Sequence, residues 1–332
     1  MHLSKSQQRH GLVFLARSLY CVDPETLYCV NKLVPMEDRF LRRILDSQRY
    51  DILSLVGSCN GLLCFKFRYS LLFYNPSTKE PRKVLDTPSR YSICGLGYAE
   101  LIDDYKYVKC YDGARSIWVY SLKKDSWIDI QSDFNFVPNI GVPLNGALHW
   151  LAYNLASPNP VIVAFDLVEE KFKTLPLPMK NVKRNHAYSF SLLGDCLCLF
   201  IEEDYQTLQL WIMKEYGVKE SWTKILTTKG QSFLQPLCYL NNNSKTIILA
   251  NDEQVMFWDP KDAKFKNIEV EGFEGINCFP YVESLVSPHY RNDFTNEGHN
   301  IQQGRNWSVM QKTKTVTILV KEAKIHTAGN IT

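Results

Sequence analysis

A turn recurs along this chain on a beat of about 46 residues, and that beat limits the fold more than any other feature. Short apolar runs end in a polar turn and restart in LLFYNPSTKEPRKV from Leu71, SIWVYSLKKDSWIDI from Ser116, VIVAFDLVEEKFKTL from Val161 and QVMFWDPKDAKFKNI from Gln254. The residue closing the third run of each unit is Asp23, Asn75, Ser121, Asp166, about Met213, and Asp259. The spacings are 52, 46, 45, 47 and 46. A tighter turn keeps the same beat upstream: Asn60-Gly61, Asp103-Asp104, Asn145-Gly146, Gly194-Asp195 and Asn241–Asn243. Such residues between apolar runs mark two-residue hairpins, because they accept positive φ at little cost.

Each period therefore predicts four short strands. One unit reads NIGVPLN, GALHWLAY, VIVAFDL and KFKTLPL (Asn139 to Leu177), and another SFSLLG, DCLCLFIEE, LQLWIM and SWTKIL (Ser189 to Leu226). An aromatic opens the fourth strand at Trp127, Phe172, Trp222 and Phe265. Four strands every 45–50 residues is the period of β-propeller blades. A β-sandwich also alternates strands and turns but gives no reason for an even beat. The expected fold is all-β, a propeller of six four-stranded blades. The N-terminal segment supplies only HGLVFLA, SLYCVD and TLYCVNK, so a C-terminal strand, YVESLVS (Tyr281–Ser287), is expected to complete the first blade and close the ring. Closure leaves no open edge between blades. The propeller domain is placed at residues 1–289. Residues 290–332, polar and without apolar periodicity at their start, read as a disordered tail.

Composition narrows the chemistry. The 13% aromatic content suits pleated surfaces, and a formal charge of +3 argues for neither a nucleic-acid nor a membrane partner. No run approaches the ~18–20 apolar residues of a membrane span. Ten cysteines in 332 residues do not make a disulfide scaffold. Most sit in apolar runs and read as reduced core residues, while Cys196 and Cys198 would share one strand face. No zinc spacing, nucleophile elbow, phosphate loop or dinucleotide fingerprint occurs, so no cofactor, metal or catalytic residue is assigned. His149, in GALHWL, reads as a packed or channel-lining residue. The acid pairs Asp103-Asp104, Glu169-Glu170 and Glu202-Glu203 fall in or beside turns, which is not the facing arrangement a glycosidase needs. A propeller enzyme acting on glycans is the alternative class.

Five blocks in order resemble the plant F-box-associated interaction domain: VGSCNGLLCF with LFYNPSTKEPRKV, GLGYAELIDDYKYVK, VPLNGALHWLA, VIVAFDLVEEKF and LQLWIMKEYGVKESWTKI. That resemblance covers about residues 10–289. It implies a non-enzymatic, protein-binding module of an SCF-type ubiquitin ligase in the cytoplasm or nucleus, directing a target protein to ubiquitination and degradation. The F-box itself, which in that family opens with a leucine-proline-x-acid run, has no match here. A Skp-family adaptor and a cullin are therefore expected partners only where an F-box is present. Within a propeller, the loops joining strand two to three and strand four to the next blade share one face, where sequence is free to vary. Those loops here include Arg90, Tyr91, Phe134, Phe136, Lys183, Arg184 and Phe233, aromatic and cationic residues of the kind that anchor protein interfaces.

Overall fold

The computed structural model describes residues 10–15, 19–29, 32–33, 43, 54–67, 69–86, 91–111, 114–154, 159–179, 188–203, 207–229, 234–240, 245–251, 254–270 and 278–289. They form six sheets in chain order around a ring, antiparallel except for one short parallel strand added to each of two of them. Blade 2 is Ser54–Cys59, Leu62–Lys66, Ser70–Asn75 and Glu80–Leu85. Blade 3 is Tyr91–Ala99, Asp104–Tyr111, Ser116–Ser121 and Ser126–Gln131. Blade 5 is Tyr188–Leu193, Cys196–Glu203, Thr207–Met213 and Trp222–Lys229. Blade 6 is Gln235–Tyr239, Ile247–Ala250, Val255–Asp259 and Lys264–Val270.

Six buried clusters fill the six seams. Leu62 and Phe73 meet Tyr107 and Tyr120 between blades 2 and 3, for example, and Leu12, Tyr20 and Leu27 meet Ile248 and Phe257 between blades 1 and 6. No blade buries both of its faces alone, so each covers its neighbour. Two buried lysines in the seams are paired. Lys109 and Asp86, both nearly inaccessible, form an ion pair across blades 2 and 3, with the ammonium 4.2 Å from the centre of the Trp127 ring. Lys106 bridges blades 3 and 4 by donating to the Leu167 carbonyl (2.5 Å) and to Glu170 (2.6 Å).

The 46-residue beat has a local cause. In five turns between third and fourth strands, the marker side chain accepts an amide N–H from its own turn. Asn75 accepts from Ser77 (2.9 Å), Ser121 from Lys124 (2.9 Å), Asp166 from Val168 (3.0 Å), Asp259 from Lys261 (2.8 Å), and the Met213 sulfur from Gly217 (3.1 Å). The residue four places on is left-handed each time: Lys79, Asp125, Glu170, Gly217 and Ala263, with φ of 62°, 53°, 56°, 80° and 50°. The marker side chain holds a backbone conformation that most residues resist. The aromatic that opens the fourth strand then lies opposite the third: Trp127 against Tyr120, Phe172 against Phe165, Trp222 against Met213 and Phe265 against Trp258.

Three expectations are corrected by the structure. TLYCVNK is not a strand. Asp23 caps a short helix, Pro24–Cys29, by accepting the Glu25 amide at 2.9 Å, and Pro24 stands at the first helical position, where its missing N–H costs nothing. Lys32–Leu33 then pairs in parallel with the outer strand of blade 6, so blade 1 has three strands. NIGVPLN is not one strand either. Asn139–Ile140 pairs with Ile93 and Cys94 of blade 3, while Val142–Leu144 stays with blade 4. The crossing is at Gly141, whose amide donates to the Cys94 carbonyl at 2.6 Å. A Cβ there would stand 2.5 Å from the Trp150 ring, which itself donates to Cys94 O at 3.3 Å. Blade 4 is otherwise Phe134–Phe136, Ala147–Asn154, Pro160–Asp166 and Phe172–Leu175.

The third correction concerns closure. The strand that completes blade 1 is Cys278–Val282, paired with His10–Phe14, about four residues before the expected Tyr281–Ser287. Pro280 is tolerated because this strand is an edge. Residues 283–289 do different work, crossing blade 2 as a strap. The Asn75 amide donates to the carbonyls of Ser284 (3.0 Å) and Val286 (2.7 Å), and Ser284 donates to the Asn60 carbonyl (2.6 Å). Arg82 donates to Pro288 O (3.1 Å) and Leu122 O (2.8 Å), tying the strap to blades 2 and 3 together. The Asn60-Gly61 turn fits against it closely. Gly61 has φ +81°, and a Cβ there would lie 2.3 Å from the Ser284 hydroxyl.

His149 is fully buried and packed, as expected. Its Nδ1–H donates to the Val142 carbonyl (3.0 Å), so Nε2 is left to accept from the Tyr216 hydroxyl (2.7 Å). Burial holds the ring neutral and lowers its pKa to about 4. The unfolded ring binds a proton near pH 6.5 and the folded one does not until about pH 4. Stability contributed by this site is therefore full above pH 6.5 and is lost as pH falls towards 4, by about 3 kcal/mol. Thermal melts of wild type and His149→Gln at pH 7.5 and 4.5 should show a smaller acid-induced drop for the variant. Equal drops would remove His149 as the cause.

Candidate binding surfaces

The ring presents two faces. One carries the loops between second and third strands and between blades, the other the hairpin turns between first and second and between third and fourth strands. Of the residues expected on the loop face, Arg90, Lys183, Arg184 and Phe233 lie outside the described residues. Tyr91 opens the first strand of blade 3, opposite Tyr111, and so belongs to the sheet instead of the loop. The two phenylalanines are corrected. Phe136 is only 6% exposed, with its ring edge-on to Trp150 at 5.9 Å and tilted against Phe172 at 6.3 Å. Phe134 is half-buried against Phe172 at 5.6 Å. Both lie in the first-strand position of blade 4, paired with Asn154 and Ala152, and the strand turns their rings into the seam with blade 3. They anchor the fold.

The hairpin face carries a cleft that the sequence did not announce. It has a volume of about 510 Å³ and lies where blades 2, 3 and 4 meet. Each part of its wall is a turn of the repeat. Cys59 and Asn60 come from blade 2, Tyr98, Glu100 and Leu101 from blade 3, and Pro143 to Ala147 with Asp166 to Glu169 from blade 4. The Glu100–Ile102 segment is a 3-10 turn ended by Asp103 in the left-handed region, and it lifts Leu101 out so that 88% of it is exposed. Tyr98 donates to Asp103 at 2.6 Å and packs on Tyr105 with ring centres 4.7 Å apart. Burial and that carboxylate push the Tyr98 phenol above its usual range, so it stays protonated. The floor is Leu167, which is buried and abuts Gly97.

Electrostatically the cleft is acidic. Glu100, Asp166 and Glu169 line it, and among the described residues no lysine or arginine does. Partial burial pushes Asp166 up, but the Glu169 and Val168 amides and the Lys173 ammonium outweigh it, so the carboxyl titrates below its ordinary value. Lys173 stands 3.4 Å from Asp166 and 3.9 Å from Glu169. The acid pairs seen in the sequence separate in function. Asp104 braces a turn by accepting from Ser121 (2.6 Å) and the Lys123 amide (2.9 Å), and Glu170 faces Lys106, so neither pair sets two carboxylates across a space. Among the described residues no group of His, Cys, Asp or Glu is arranged to hold a metal ion, and nine cysteines are free thiols. Nor is any helix among them long and apolar enough to cross a membrane. The signal that could have found the cleft is AELIDD, an apolar residue set in an acidic turn.

Residues 21–288 match the model of the F-box associated beta propeller domain. The chain belongs to that family. The F-box protein CPR1 of Arabidopsis thaliana is 28% identical over 313 residues, covering 78% of this chain and 74% of the relative. An F-box/kelch-repeat protein of the same plant is 26% identical, covering 72% of this chain and 70% of its own. Another Arabidopsis F-box protein is 29% identical over 66% of each chain. This F-box-associated domain thus spans about two thirds to three quarters of the length of those relatives. Its SCNGL and YNPSTKEPR blocks are the segments that receive the strap at Asn60, Asn75 and Arg82.

Proposed function

We propose that this chain is the substrate-recognising part of an F-box protein: a non-catalytic surface that holds a target protein for ubiquitin transfer by an SCF-type ligase and subsequent degradation. The observation that carries the reading is membership of the F-box-associated family over residues 21–288, with F-box proteins as its relatives. The fold supports it, since six seams packed with buried aromatics and paired charges make a stiff platform for loops and turns. Arg90, Lys183, Arg184 and Phe233 remain assigned to recognition on the loop face, with Tyr91 at the start of the adjoining strand. Adaptor and cullin would be engaged through an F-box, and the setting would be the cytoplasm or nucleus.

The test is affinity purification from plant cells of the chain expressed in frame behind an F-box, with and without proteasome inhibition. Recovery of a Skp-family adaptor, with a second protein that accumulates under inhibition, is the expected result. Nucleic acid in place of a protein partner would overturn the reading. So would recovery of the adaptor alone under both conditions.

A further inference from the structure

We infer that the cleft on the hairpin face is a docking site for an extended segment of a partner protein that carries an arginine or lysine beside a leucine-like side chain. The inference deepens the substrate-receptor reading in that it supplies a partner's chemistry. It places that contact on the face opposite the loops, among residues with no assigned role.

Three properties carry it. The first is shape: about 510 Å³ lies within the ~300–1,000 Å³ typical of ligand sites, and its walls are turns of three blades fixed by the ring. The second is Leu101. A leucine that is 88% exposed on a rigid 3-10 turn contributes nothing to the core, and exposed apolar groups at a cleft rim favour burial by a partner. Val168 and Leu144, both half-buried, continue the apolar wall. The third is charge. Asp166 is committed to its own turn and Lys173, but Glu100 and Glu169 project their carboxylates at exposed positions around the opening. Lys173 stands 3.9 Å from Glu169 and is itself 60% exposed, while Lys123 and Lys106 are committed to the Ile102 and Leu167 carbonyls and, for Lys106, to Glu170. An apolar side chain against Leu101 with a cation on the Glu100 and Glu169 side satisfies both features, and phosphate-bearing ligands are repelled.

The test uses the full chain and two labelled peptides, one with Arg-Leu-Lys between Gly-Ser flanks and one with Glu-Leu-Glu in the same frame, read by fluorescence anisotropy. The basic peptide should bind at least about tenfold more tightly. Leu101→Asp should weaken it about tenfold, and Glu100→Lys with Glu169→Lys should reverse the preference towards the acidic peptide. Lys261→Ala, on a distant turn of blade 6, should leave binding unchanged. All these positions are exposed turns, so unchanged thermal melts verify the fold. Equal binding of the two peptides, or indifference to the Leu101 and Glu100/Glu169 variants, would overturn the site. Amide exchange at Glu100–Asp103 in the free chain separates other occupants. Protection independent of protein concentration would mean that the chain's own sequence fills the cleft. Protection that grows with concentration would mean a second copy does, and either result contradicts docking of a partner. Failure of the ligase reading alone would leave peptide binding intact.

Discussion

A chain that ends at residue 277 is expected not to form the ring. Cys278–Val282 is the inner strand of blade 1, and without it His10–Leu15 becomes an open edge facing the channel. Cys278, Tyr281 and Val286, exposed by 0%, 4% and 7%, leave three different seams. Burial of a large side chain is worth roughly 1.5–3 kcal/mol. The strap goes with the strand, so the Asn75 amide and the Arg82 guanidinium lose acceptors in buried positions, at roughly 1–3 kcal/mol for each group. Together these losses match the ~5–15 kcal/mol by which domains are stable at all. Size-exclusion chromatography and thermal melts should show soluble aggregate and no cooperative transition. A monomer melting at the full-length temperature would refute closure by this strand.

Replacing Asn75 by Asp should be nearly as damaging, although it changes one atom. Asn75 is wholly buried. Its Oδ1 caps the turn at Ser77 while its amide nitrogen donates to two strap carbonyls, at 3.0 and 2.7 Å. A carboxylate keeps the cap but sets a negative oxygen against two carbonyl oxygens, with both donors gone. The expected cost is about 3–5 kcal/mol, as for a buried charge stripped of its partner. Asn75→Ala, which loses cap and strap without adding repulsion, should cost about 2–3 kcal/mol. Urea midpoints with constant slope would measure both. Asp at this position as stable as wild type would show that the strap does not hold blade 2. The same residue in the other blades explains the choice: Asp166 and Asp259 cap identical turns but face no strap, so a carboxylate is tolerated there.

The repeat was legible because it is periodic: one turn with one capping side chain and one left-handed residue recurs, and each recurrence confirms the last. What breaks the period could not be read that way. TLYCV has strand-like composition, yet Asp23-Pro24 supplies a helix start that overrides it. Gly141 looks like any glycine in a strand until Trp150 is placed over it by the neighbouring strand. The strap has no periodicity of its own. Its signature was the buried Asn75 and Arg82 in YNPSTKEPR, visible as a motif but not as a socket. Phe136 resembled an interface anchor because a loop aromatic reads alike whether it turns out or in, and the first-strand pairing of Phe134–Phe136 turned it in. AELIDD marks one wall of the cleft, but Asn60, Leu101 and Glu169 come from three blades and lie 40 and more residues apart, so no local pattern could bring them together.

The most direct measurement of the proposed role is the half-life of a captured partner in plant cells. A protein recovered with the chain behind an F-box should turn over faster when that fusion is expressed, and proteasome inhibition should restore its lifetime. The propeller expressed without an F-box should bind the same partner and leave its half-life unchanged or longer. A partner whose turnover is indifferent to the fusion would contradict recognition for degradation as the work of this propeller.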